Sequence, residues 1–308
     1  MRPARGWLGA GCAILLLAAL GPAPARPEAL PTPTAPRQRA SFDVLQLESP
    51  LPARTFFAES QFTMGSTHEE MLSAHNECIL EVLGHTCNAK HFQNEGPVRS
   101  VTLGSYQLDR YEVTVADYER CVRTRRCTPV PFYKGAQRFR SPRLPVVLVS
   151  WEDARDYCSF VGGRLPTEAE WERAARGIAG RRYPWGNAYN PRVANHGRLA
   201  HNPTDDEDGF SELAPVGSYP AGATPDLVFD LAGNVEEWTL DRYREQYDPN
   251  DVQNPRGAPS TSGEAARSVR GGSYTSPRVS LRSAARRFAL PAERHAGRGF
   301  RCAYPRRD

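Results

Sequence analysis

The 308-residue chain has no run of 18 consecutive apolar residues, so no mature membrane-spanning helix is indicated. Neither sign of charge is in real excess. There are 39 Lys+Arg and 35 Asp+Glu, a formal charge of +4, and nothing in that balance calls for nucleic acid. The chain contains no Cys-x-x-Cys, which argues against a zinc ribbon or a thioredoxin-like site. An internal repeat is missing, and after Gly177 helical periodicity is nearly missing too. What is present supports a packed core: 40% hydrophobic and 24% charged residues argue against wholesale disorder. With 25 Gly and 27 Pro the fold is expected to be loop-rich, anchored by 12 Tyr, 12 Phe and 5 Trp.

Residues 1–25 have the order of a secretory signal: two arginines, an apolar stretch densest over 13–20, then small residues with Ala23 and Ala25 fitting the cleavage rule. A retained anchor is the competing reading, but the stretch is short for a span. Residues 26–54 repeat Pro, Ala and Thr without a period and read as an extended linker, leaving 55–308 as the folded domain. The protein is therefore expected to be exported. Six cysteines remain after Cys12, an even number that suits disulfides in an exported chain. Count alone allows fifteen pairings. The short spacings Cys78 to Cys87 and Cys121 to Cys127 suit local bridges.

Residues 56–64 read as a first strand ending in a Gly-Ser turn, and residues 98–111 as strand, turn and strand. Residues 69–83 carry apolar groups at helical spacing before Gly84. Thr114 can cap a helix running toward Cys121, and Ser150 one running to Val161, closed by Gly162 and Gly163. The sharpest local signal is Thr167 with Glu170 three residues on, a capping box for a helix ending at Gly177. Residues 178–308 then read as long ordered loops laid on a small sheet.

Nine blocks occur in a recurring order. They are Phe62-Thr-Met-Gly-Ser66, Asn94-Glu-Gly-Pro97, Asp109-Arg-Tyr-Glu-Val-Thr114, Leu144-Pro-Val-Val147 and Gly163-Arg-Leu-Pro-Thr-Glu-Ala-Glu-Trp-Glu172. Tyr183-Pro-Trp-Gly-Asn187, Leu231-Ala-Gly-Asn-Val-Glu-Glu-Trp238, Arg270-Gly-Gly-Ser-Tyr274 and Gly299-Phe-Arg-Cys302 complete the set. Together they resemble the formylglycine-generating enzyme (sulfatase-modifying factor) family. The resemblance implies an α+β, C-type-lectin-like fold with few short helices and small antiparallel sheets. It also implies a long disulfide, Cys158–Cys302, beside the local bridges.

The family's type enzyme resembles a copper oxidase in which two cysteine thiolates hold Cu(I) and a sulfatase cysteine becomes formylglycine. Soft thiolates select Cu(I). The interval that would carry them, 274–286, holds no cysteine, and Ser283 is expected at the place of the second thiol. The resemblance thus implies the fold and argues against copper and the oxidase. It also implies two calcium sites, one from Asn195, His196, Asp208 and Phe210, and one from Asp230, Gly233, Val235 and Glu237. Side-chain oxygens and backbone carbonyls of this kind suit a hard cation. Iron enters only through relatives that resemble non-haem iron proteins; four of the seven histidines fall within 67–93 and read as surface residues. Eleven arginines lie between Arg267 and Asp308, of which Arg282, Arg286 and Arg301 are expected to brace loops through carboxylate pairs. The expected function is a calcium-stabilised binding or scaffold module for a protein, peptide or glycan. The alternative is a divergent, iron-dependent oxidoreductase acting on a peptide or small molecule.

Overall fold

The computed structural model describes residues 54–82, 87–132, 135–197, 207–257 and 265–305. The expected signal segment, and all of the expected linker but Arg54, lie outside the described residues. Strand β1 (Arg54–Phe57) begins within a residue of the expected domain start. The single strand expected over 56–64 is two strands in different sheets, β1 and β2 (Ser60–Met64). Exposed Ala58 and Glu59 separate them, and Phe57 and Phe62 turn into the core on either side of the break.

Helix α1 (His68–Val82) and the single turn α2 (Lys90–Gln93) follow, joined by the disulfide Cys78–Cys87. Strands β3 (Arg99–Leu103) and β4 (Tyr106–Asp109) occupy the expected strand-turn-strand, but they do not form a hairpin with each other. β3 pairs β2, while β4 lies between β1 and β9 (Ala303–Pro305). Helix α3 (Val115–Arg123) is capped by Thr114, whose side chain accepts from the Asp117 amide. Helix α4 (Trp151–Phe160) carries a capping box from Ser150 and Asp153. Helix α5 (Glu168–Arg176) carries the expected box from Thr167 and Glu170 and stops at Gly177.

From there to β5 (Glu236–Arg242) the described chain has only irregular turns and one short 3-10 helix. β5 anchors a four-stranded sheet in the order β7 (Arg286–Ala289), β6 (Arg267–Arg270), β5, β8 (Arg298–Gly299). Long loops are held here in part by buried hydrogen bonds such as those of Asn234, which accepts from Asn195 and the Ala214 amide and donates to Glu112. Gly233 shows how tightly: its φ is +86°, and a Cβ there would stand 2.0 Å from the Asn195 carbonyl oxygen. The main core gathers Tyr118, Trp151, Trp238 and Phe300 around Cys158–Cys302, and a second cluster packs Met64, Leu108, Trp171 and Leu231. All three expected disulfides are present. The fold class read from the blocks, α+β with short helices and small sheets, is the one observed.

Candidate functional site

Helix α5 positions the centre of the site. Its period brings Glu168 and Glu172 onto one face, where both meet Arg270 of β6 at 2.8 and 2.7 Å. Arg270 is 1% exposed and also donates to the Tyr247 hydroxyl and the Ser283 carbonyl. Arg286 of β7 grips Glu168 through Nε and Nη2. Arg282 grips Glu95 in the same forked way, at 2.8 and 2.6 Å, and Arg301 grips Glu237. The bracing expected of Arg282, Arg286 and Arg301 is therefore observed. Burial alone would raise the Glu168 carboxyl, yet Arg286 and then Arg270 hold it down at about 2.

This buried lattice carries a groove of about 820 Å³. Gly271, Gly272 and Val279 line it, with Phe92 of α2, Asn94 just after it, and Tyr243 and Phe288. Phe288 is 57% exposed and lies 4.6 Å from the Tyr243 ring, centre to centre. The segment 274–286 contributes Pro277, Val279, Ser280, Arg282, Ala285 and Arg286. Ser283, expected at a thiol position, is fully buried, is absent from the groove lining, and has a hydroxyl without a hydrogen-bond partner. The serine that does line the groove is Ser280. Every described cysteine is in a disulfide.

Three of the first calcium set, His196, Asp208 and Phe210, come together at the Asp208 carboxylate. It accepts from the backbone amides of His196 (2.7 Å) and Phe210 (3.0 Å). Asn195 spends its side-chain nitrogen on the Glu212 carbonyl and Asn234, while its Oδ1 is buried with no hydrogen-bond partner. An orphaned buried oxygen is costly and fits a cation.

Of the second set, Asp230 and Glu237 lie near enough to repel each other, where the loop holding Asp230 and Gly233 runs into β5. Asp230 Oδ2 accepts from the Gly217 amide, and Glu237 takes Arg301 together with the Trp171 indole N–H. Glu112, which the sequence did not single out, is buried beside both acids. Burial, then the charges of Asp230 and Glu237, push Glu112 well above the usual carboxylate range. Burial likewise raises Asp230 to about 6. Three buried carboxylates around one guanidinium leave a negative excess that suits a cation, but both Glu237 oxygens are already used as acceptors. Val235 gives its amide to Glu112.

Among the described residues no group of three or more His, Cys, Asp and Glu side chains could hold a metal by itself. The His196 ring is bonded to Tyr189 and the Gly197 carbonyl, and His295 accepts from the Gly297 amide. His85 and His201 lie outside the described residues. The sequence also missed Glu168 and Glu172 as partners of Arg270. Their four-residue spacing within the helix was the available signal.

Residues 58–305 match the family described as the sulfatase-modifying factor enzyme 1-like domain. The chain is similar to the formylglycine-generating enzyme of Mus musculus, 32% identical over 260 residues, 68% of each chain. It is also similar to the inactive C-alpha-formylglycine-generating enzyme 2 of Bos taurus, 36% identical over 197 residues, which is 49% of this chain and 64% of that one. Among solved structures, PvdO from Pseudomonas aeruginosa superposes with a TM-score of 0.63 at 24% identity, covering 81% of this chain and 93% of that one.

Proposed function

The chain belongs to the sulfatase-modifying factor family, and from that membership we propose that it works as an exported, calcium-stabilised binding or scaffold module without formylglycine-generating oxidase activity. The observation that carries this reading is the state of its cysteines. All six that are described are tied in disulfides, and residues 274–286 hold none. The groove therefore offers Ser280, apolar side chains, paired arginines and charged groups such as Lys90 and Glu245 rather than two free thiolates. Cu(I) selects thiolates over hydroxyls. Three disulfides agree with an oxidising, extracytoplasmic compartment.

Calcium belongs to the same proposal. The Asn195 side-chain oxygen, Asp208, and the carbonyls of His196 and Phe210 would hold one ion, whose contribution would be to fix the loop segments that carry them. Asp230, Glu237 and the carbonyls of Gly233 and Val235 remain the second candidate set, supported by the buried negative excess.

Exposed aromatic rings beside a rigid base suit recognition of a protein, peptide or glycan. The purified domain, incubated with copper, a reductant and a Cys-x-Pro-x-Arg peptide, is expected to leave the thiol unchanged by mass spectrometry. Appearance of the aldehyde would overturn the reading.

A further inference from the structure

A second cavity, of about 380 Å³, lies on the other side of Arg286 from the groove. It is walled by the end of β5, the loop that follows it, and the start of β3. Five arginines line it, Arg99, Arg242, Arg244, Arg256 and Arg286, against Glu168, Asp241, Asp248 and Asp251. The acids do not cancel the arginines. Glu168 is committed to Arg270 and Arg286. Asp241 is 3% exposed, and burial pushes it up to about 8, so near neutral pH it brings a proton rather than a charge. Asp248 is paired with Arg244 at 3.2 Å, but both side chains are solvent-exposed, so an incoming oxyanion can displace that contact, and Asp251 is the one remaining acid of the lining.

Arg99 is the telling residue. It is 8% exposed and makes no ion pair among the described residues. Its contacts are the Asp248 carbonyl, the Met64 sulfur and the face of Tyr247, 4.1 Å away. Its Nε is buried without a partner. Arg286 stacks on the same ring at 3.9 Å. Two guanidinium groups sharing one aromatic ring, one of them without a carboxylate, make a fixed positive field at the cavity floor. A buried charge in that condition is costly unless an opposite charge approaches. The half-exposed Arg244 and exposed Arg256 stand at the rim, where their forked N–H groups can bind an oxyanion directly.

We propose that this cavity is an oxyanion-binding site, separate from the groove, that takes a phosphate, sulfate or carboxylate group. Arg244 and Arg256 make the contacts, and Arg99 and Arg286 supply the field behind them. The site does not depend on what the groove binds, and its test is independent of it.

The test is calorimetric titration of the full domain at pH 7 with inorganic phosphate, sulfate and acetate, each at constant ionic strength set with chloride. Saturable binding of at least one oxyanion is expected, with Kd weakened tenfold or more in Arg244→Ala and in Arg256→Ala. Arg155→Ala removes an exposed charge elsewhere and should leave Kd within twofold. Preference for phosphate or sulfate over acetate would assign a tetrahedral group, and the reverse a carboxylate. No saturable binding, or equal weakening in all three variants, overturns the proposal. Because Arg244 and Arg256 are at the surface, loss of binding is separable from loss of fold by the unliganded melting temperature.

Discussion

At the scale of single residues, the buried arginines explain how so polar an interior holds together. A guanidinium presents a planar fork, so Arg270, Arg282, Arg286 and Arg301 each satisfy two carboxylate oxygens or two separate acids. Not every buried acid has such a partner. Asp241 accepts from the Glu168 amide but is not itself gripped by a guanidinium in that way. Its folded-state value of about 8, set by burial and then by Glu168, lies above the ordinary ~3.9 of an unfolded aspartate. The folded form therefore holds the proton more tightly than the unfolded form. The stability this brings is complete below about pH 4 and is lost as pH rises through the folded value, at up to about 1.4 kcal/mol per pH unit for one proton. Glu168 has the opposite sign: its depressed value of about 2 gives stability that disappears only in acid. Denaturant melts at pH 5 and pH 8 should show the wild type weaker at pH 8, and Asp241→Asn, which cannot titrate, losing clearly less. Equal losses would show that Asp241 ionises normally in the fold.

At the scale of elements, α5 is the piece on which the site depends. Nine residues are too few for a helix to be stable alone, yet this one carries Glu168, Glu172 and Trp171 into the lattice. Its N-terminus is fixed by Thr167, which accepts from the Glu170 amide at 3.1 Å, while Glu170 returns to the Thr167 amide at 2.8 Å. Both atoms are buried, so water does not replace a lost cap. Thr167→Ala should cost about 1–2 kcal/mol in chemical denaturation, and Thr167→Ser should stay close to wild type. If the alanine variant lost nothing, the box would be incidental.

These capped helices were legible in the sequence because caps are local. The two strands in 54–64 were not, since the break at Ala58 and Glu59 is set by which sheet each half joins. Glu112 escaped notice for the same reason. It is 118 residues before Asp230 in the chain, and only the fold brings them together. Ser283 was placed by sequence interval alone, and intervals do not say which way a side chain turns.

At the scale of the whole molecule, something must pin the region from 178 to 235, whose described residues have almost no regular structure. The long disulfide, separated by 144 residues, ties α4 to the C-terminal end but does not cross-link that region. Backbone-to-carboxylate bonds do part of the work, through Asp208 and Asp230. If calcium binds as proposed, the orphaned Asn195 oxygen and the acids Asp230 and Glu237 are where it would do the rest. An ion bound only to the folded state stabilises by mass action, about 2.7 kcal/mol when free calcium is 100 times Kd. For a domain of this size that is roughly 5–10 °C in melting temperature at about 2–4 °C per kcal/mol. Adding a chelator should therefore lower the melting temperature, and restoring calcium should recover it. Asp208→Asn keeps the side-chain volume and removes the charge; it also gives up one of two backbone amide bonds, so the readout is the loss of most of the first site's calcium-dependent shift, not the lower melting temperature without calcium. Glu237→Ala is the wrong probe, because it strands Arg301 in the core whether or not calcium binds. Melting curves that coincide with and without chelator would mean that the loops are held by the protein's own hydrogen bonds, and that the buried acids are kept neutral by protons instead of metal.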